Sequence, residues 1–138
     1  MRCRSPFAVV LFTVAVMIGC QTPESAVQPL PPDAQPLPYS EMHARAKAQV
    51  AAAQEFFYRD TWREVEQAAV ALQQTADLIG RIKPEDLPMR LREQTPRLAR
   101  QLRDAAMALE ESARAKDVIK TTQIFQTLNL TVREMRPE

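Results

Sequence analysis

The chain has 138 residues, a net charge of +1 and a hydrophobic content of 46%. That is room for one domain, and too balanced in charge to attract nucleic acid by bulk electrostatics. Two glycines and 6% aromatics leave too few turn and strand formers for a sandwich or barrel, and no glycine-rich loop to cradle a phosphate; a single histidine, with cysteines only at Cys3 and Cys20, excludes an ordinary His/Cys zinc site.

The chain opens with Arg2 and Arg4, then an apolar run from Phe7 to Ile18 broken only by Thr13. The run falls short of the roughly 20 residues a membrane span needs and has the form of a secretory signal core. Its end, Met17-Ile18-Gly19-Cys20, resembles a bacterial lipobox, with Met where Leu is usual. The resemblance implies that residues 1–19 are removed as a lipoprotein signal peptide and that Cys20 is lipidated and becomes the mature N-terminus. Cys3 leaves with the leader, so the mature domain carries neither free thiol nor disulfide. Loss of Arg2 and Arg4 brings it close to neutrality, which argues against adsorption to anionic lipid by charge.

Residues 20–38 contain Pro23, Pro29, Pro31, Pro32, Pro36 and Pro38. Repeated proline favours extended polyproline II, so the segment is expected to be a disordered, semi-rigid tether that holds the domain about 50 Å from a membrane.

Residues 39–138 are expected to form an all-α domain of four helices. Tyr39, His43, Ala46, Val50, Ala53 and Phe57 lie on one helical face. Tyr58-Arg59-Asp60 breaks the pattern, and Thr61-x-x-Glu64 matches a capping box, with Asp60 as the alternative N-cap. The second face is Trp62, Val65, Ala69, Leu72, Ala76 and Ile79; Gly80 marks a C-cap region and Pro84 a stop. After a loop with Pro84 and Pro88, a third helix carries Leu91, Leu98, Leu102, Ala105, Leu109 and Ser112, with Pro96 near its start. Asp117 is the expected N-cap of the fourth, whose face is Val118, Thr121, Phe125, Leu128, Val132 and Met135. Four such helices with short links make an antiparallel up-down-up-down bundle; the alternative is a long hairpin with the first two helices fused.

The segment from Asp60 through Trp62 and Val65 to Ala69 and Leu72, together with Phe125 and Leu128 in the last helix, resembles cytochrome c′-type bundles. Those proteins carry a haem-attachment Cys-x-x-Cys-His motif near their end. This chain has Val132 and Met135 where the cysteines would stand and Arg136 where the histidine would stand. The resemblance therefore implies a bundle that has lost its covalent haem. It also implies a homodimer through the early helices, for which Phe56, beside Phe57, is the expected exposed contact. Haem held without a covalent bond is the alternative, with His43, Met135 or Met42 as ligands.

No catalytic constellation is visible. The di-metal signature Glu-x-x-His is absent, and Glu93 with Arg97 reads as a solvated i, i+4 pair. The cluster Arg90, Arg92, Arg97, Arg100 and Arg103 reads as the polar face of the third helix rather than a site for an acidic partner. The expected protein is no enzyme. It is a cofactor-free interaction or structural module of the bacterial cell envelope, lipid-anchored on the periplasmic side. Gln21 after the cysteine points to the outer membrane, and the protein partner is an unidentified envelope protein.

Overall fold

The computed structural model describes residues 22–138, all helical or irregular, with no strand among them. The signal peptide and Cys20 lie outside the described residues. The helices are α1 (Pro23–Val27), α2 (Tyr39–Tyr58), α3 (Trp62–Gly80), α4 (Thr95–Arg114) and α5 (Val118–Glu134), with short 3-10 turns at Pro84–Asp86 and Met89–Leu91. None of the described helices is long and apolar enough to cross a membrane.

Two of the links are built alike. After α2, the amide of Asp60 donates to the Phe57 carbonyl and that of Thr61 to the Phe56 carbonyl, both at 3.0 Å. After α4, Lys116 donates to Ala113 at 3.1 Å and Asp117 to Ser112 at 3.0 Å. This is the Schellman pattern, which consumes the last carbonyls of a helix and needs a left-handed residue at its corner. Asp60 (φ 58°) and Lys116 (φ 51°) supply it, neither being glycine. The motif ends α2 at Tyr58 and so separates α2 from α3, against the fused hairpin. Gly80 by contrast is the last residue of α3 and has no positive φ.

Helix starts follow the sequence unevenly. Asp117 caps α5, accepting from the Lys120 amide at 2.9 Å. The capping box at Thr61 does not form: its hydroxyl turns back to the Phe56 carbonyl at 3.0 Å, finishing α2 instead of starting α3. Pro96 falls in the first turn of α4, where its missing N–H costs nothing. Glu93 precedes that helix, so Arg97 pairs with Glu134 of α5 at 3.6 Å rather than with Glu93.

The core runs the length of the four long helices. Val65, Leu72, Ile79, Leu98, Leu102, Leu109 and Leu128 are wholly buried. The α3–α4 pair is the most extensive, then α2–α3 and α4–α5, and α2 packs more lightly on α5. On α2 the buried set is Tyr39, Met42, Ala46, Gln49, Val50, Ala52, Ala53 and Phe56. Phe56 at 4% exposure is therefore a core residue and cannot be the dimer contact expected of it, while Phe57 and His43 are half-buried.

Residues 22–38 do not stand off the bundle as an extended tether. α1 packs on α2 and α3, with Ala26, Val27 and Leu30 half-buried against the core. The Gln74 amide pairs with both backbone groups of Leu30, accepting from its N–H at 2.9 Å and donating to its carbonyl at 2.8 Å. Arg45 donates to the Gln28 carbonyl. Apolar residues between the prolines have a surface to bury, and side-chain amides replace the water that otherwise solvates such a backbone.

Candidate functional site

The residues with any claim to chemistry gather where α2 begins and α5 ends. The Tyr39 hydroxyl donates to the Met135 carbonyl at 2.6 Å. Four residues on, His43 Nε2 donates to the Val132 carbonyl at 2.9 Å. These carbonyls belong to the last turn of α5, where no later turn can satisfy them. Arg90 donates to the Arg136 carbonyl at 2.6 Å, so three cross-chain side chains close this end. Burial pushes the Tyr39 phenol up to about 12, against a smaller opposing pull from Arg90.

Met42 and Met135 are wholly buried, Val132 is 7% exposed and Arg136 is on the surface. The alternative haem ligands thus share one end of the bundle. The ring nitrogen of His43 that faces α5 is already bonded to a carbonyl, and both thioethers are packed into the core. Five surface grooves of about 260–550 Å³ lie elsewhere, and none of these is lined by Met42, His43 or Met135. Among the described residues no group of three or more His, Cys, Asp or Glu side chains is placed to hold a metal ion.

The opposite end is aromatic. Phe57 sits 5.4 Å from Trp62 edge-on, 5.5 Å from Phe125 and 5.8 Å from Tyr58, centroid to centroid. Trp62 is half-buried, and its indole N–H donates to Asp60 Oδ1 at 2.5 Å. Tyr58 is 81% exposed, Ile119 74% and Val118 55%. A groove of about 260 Å³ between α2 and α5 is lined by Gln54, Phe57, Tyr58, Thr122, Phe125 and Gln126. The hydrophobic pattern of the sequence had placed Trp62 and Phe125 on core faces; the exposed Tyr58 and Ile119 beside them carried no signal, because they fall off the helical period.

Each arginine of the basic cluster has a hydrogen-bond or ion-pair partner within the molecule. Arg90 holds Arg136, Arg92 Nε donates to the Leu87 carbonyl at 3.3 Å, Arg100 to Pro96 at 3.3 Å, and Arg103 pairs with Asp77 at 3.1 Å. With Arg97 on Glu134, all five have a partner on their own chain. Only Arg97 and Arg103 face a carboxylate, in exposed pairs that contribute little to stability; the other three donate to carbonyls and keep their charge.

Three polar pairs are buried in the bundle. Thr75 Oγ1 donates to Gln49 Oε1 at 2.8 Å, Thr121 Oγ1 to Ser112 Oγ at 2.9 Å, and Thr95 Oγ1 to the Leu91 carbonyl at 2.7 Å. Gln49 Nε2 is buried with no hydrogen-bond partner among the described residues. None of these pairs lines any of the five grooves. Comparison of the chain with protein-family models, with curated proteins and with solved structures gives no match.

Proposed function

We propose that this chain is a lipid-anchored, cofactor-free helical-bundle protein of the bacterial cell envelope, attached through Cys20 on the periplasmic side of the outer membrane. It acts by protein contact or as a structural element, not by catalysis. The observation that carries this reading is the signal core that ends in Met17-Ile18-Gly19-Cys20, directly before a helical domain. Support also comes from the bundle end that the cytochrome c′ resemblance would assign to haem, where the side chains are spent on helix capping.

Within the same reading the four long helices run up-down-up-down. The cross-helix pairs support it: Glu66 with Arg114 and Asp77 with Arg103 for α3 and α4, Lys120 with Glu111 and Glu134 with Arg97 for α4 and α5. For α2 and α5 the pairs are Tyr39 with Met135 and His43 with Val132. In each, one partner's number rises as the other's falls.

The test is mass spectrometry of the full chain purified from bacterial membranes. The expected mature species begins at Cys20 with a lipid on its sulfur, and Cys20→Ala abolishes both cleavage there and membrane retention. A mature protein cut elsewhere, with an unmodified thiol at Cys20, overturns the reading. A haem titration of the folded protein checks the cofactor: no saturable Soret band is expected, and one that vanishes in His43→Ala overturns the cofactor-free assignment.

A further inference from the structure

Residues 22–38 contain the tetrapeptide Gln-Pro-Leu-Pro twice, at 28–31 and at 35–38. The two copies sit differently. In the first, Leu30 is half-buried, the Gln74 side chain holds both of its backbone groups, and Arg45 donates to the Gln28 carbonyl. In the second, Leu37 is 39% exposed, and no hydrogen bond among the described residues holds its amide. Composition alone therefore does not dock the segment; the placing of Gln74 and Arg45 does. Within Pro29-Leu30-Pro31-Pro32 only Leu30 has an N–H to offer, and it is the one that Gln74 accepts.

The hold is slight. Besides this clamp, the segment lends only Ala26, Val27 and Leu30 to the edge of the core, and α1 is five residues long with no side-chain cap. Arg45 works against docking. Its Nε is buried with no hydrogen-bond partner among the described residues, and its bound nitrogen meets a carbonyl rather than a carboxylate. Burial accordingly lowers the pKa of the guanidinium. A donor and a charge are withdrawn from water in return for one carbonyl bond, and undocking gives both back to solvent. Once free, the prolines keep the chain extended, at about 3.1 Å per residue.

We propose that residues 22–38 are a releasable strap. Docked, it is fastened at Leu30 by Gln74 and Arg45 and folded back on α2 and α3; released, it is an extended arm of up to about 50 Å, with the four long helices intact in both states. The strap stands without any lipid. Its use rests on the proposed anchor: with Cys20 held in a membrane, the two states give the bundle a short and a long reach from the same chain.

Amide hydrogen exchange of the full chain, followed residue by residue by NMR, tests the strap. Leu30 and Leu37 have the same neighbours in sequence, so one is the probe and the other its reference. Leu30 is expected to exchange roughly ten- to a hundredfold slower than Leu37, and at least about a hundredfold faster than Leu102 in the middle of α4. Gln74→Ala should bring Leu30 to the rate of Leu37 and leave Leu102 unchanged, which shows that the bundle itself is still folded. Leu30 as slow as Leu102 makes the segment part of the cooperative fold and overturns the strap. Leu30 as fast as Leu37 in the unaltered chain means that the segment does not dock, and equally overturns it. Protection of Leu30 that survives Gln74→Ala overturns the clamp on which the proposal stands. None of these readings depends on a lipid, so finding Cys20 unmodified would overturn the anchor and leave the strap to its own test.

Discussion

Replacing Tyr39 by Phe removes one oxygen and tests the seam between α2 and α5. Tyr39 is 4% exposed and its hydroxyl bonds the Met135 carbonyl at 2.6 Å. Losing a buried hydrogen bond and leaving the acceptor dry costs about 1–2 kcal/mol. For a domain of about 100 residues that lowers Tm by roughly 4–12 °C. The same residue fixes a pH dependence. Below pH 10 the phenol is protonated in both states and contributes no slope. Burial raises its folded value to about 12, so in between the unfolded chain releases a proton that the folded one keeps. Stability must then fall as pH rises through that window, by up to about 2–3 kcal/mol. The Phe variant starts lower but lacks this fall, so the gap between the two proteins should narrow above pH 10 and close or reverse near 12. Urea unfolding followed by far-UV circular dichroism from pH 8 to 12 measures both arms. A gap that stays constant across the range refutes the argument, because the Tyr39 phenol would then ionise alike in both states.

Three further substitutions should stabilise the domain, each read by the same urea titration. Lys116→Gly relieves the left-handed strain at φ 51° and should gain about 1 kcal/mol, since Lys116 forms none of the side-chain bonds at its turn; an equal loss would show the strain is absent. Gly80→Ala adds a Cβ that meets only Ala99 Cβ, at an ordinary 3.7 Å, and should gain about 0.5 kcal/mol by restricting the unfolded chain. Gln49→Met replaces the buried amide whose Nε2 has no partner with a flexible apolar chain of similar size and should gain about 1 kcal/mol, the one Thr75 hydroxyl hydrogen turning from Gln49 to the Ala71 carbonyl, 3.2 Å away. A loss in that last variant would mean the Thr75–Gln49 bond outweighs the unpaired amide.

What the sequence discloses depends on how many partners an element has. The α3 pattern locates Val65, Leu72, Ala76 and Ile79 correctly, and the Asp117 cap and the α5 face from Thr121 onward follow from local rules, but Val118, expected on that face, is 55% exposed. The α2 pattern places Tyr39, Ala46, Val50 and Ala53 correctly but misses the rest of the buried set, because α2 is covered by α3, α5 and the docked N-terminal segment. Its alanines are apolar on nearly every side, so a single seven-residue period cannot separate the buried Met42, Gln49 and Phe56 from the half-buried His43 and Phe57. Proline content marks residues 22–38 as extended, yet whether an extended chain floats or docks is settled by Gln74 and Arg45, far along the sequence. At the end where α2 begins and α5 finishes, the sequence shows a single histidine. Only the structure shows that His43 has another occupation.

Beyond the local bond from the Arg136 amide to the Arg133 carbonyl at 3.3 Å, the Met135 and Val132 carbonyls at the end of α5 are served by Tyr39 and His43, 96 and 89 positions earlier. A helix end, ordinarily the most local of features, is here a long-range contact. During synthesis α2 exists long before the carbonyls it serves, and its donors must wait on water until Val132 and Met135 arrive. α3 and α4, adjacent in sequence and most extensively packed, can meanwhile form a hairpin on their own. The seam between α2 and α5 is then the last to shut, and in the finished protein it is the first place where thermal opening should let solvent in.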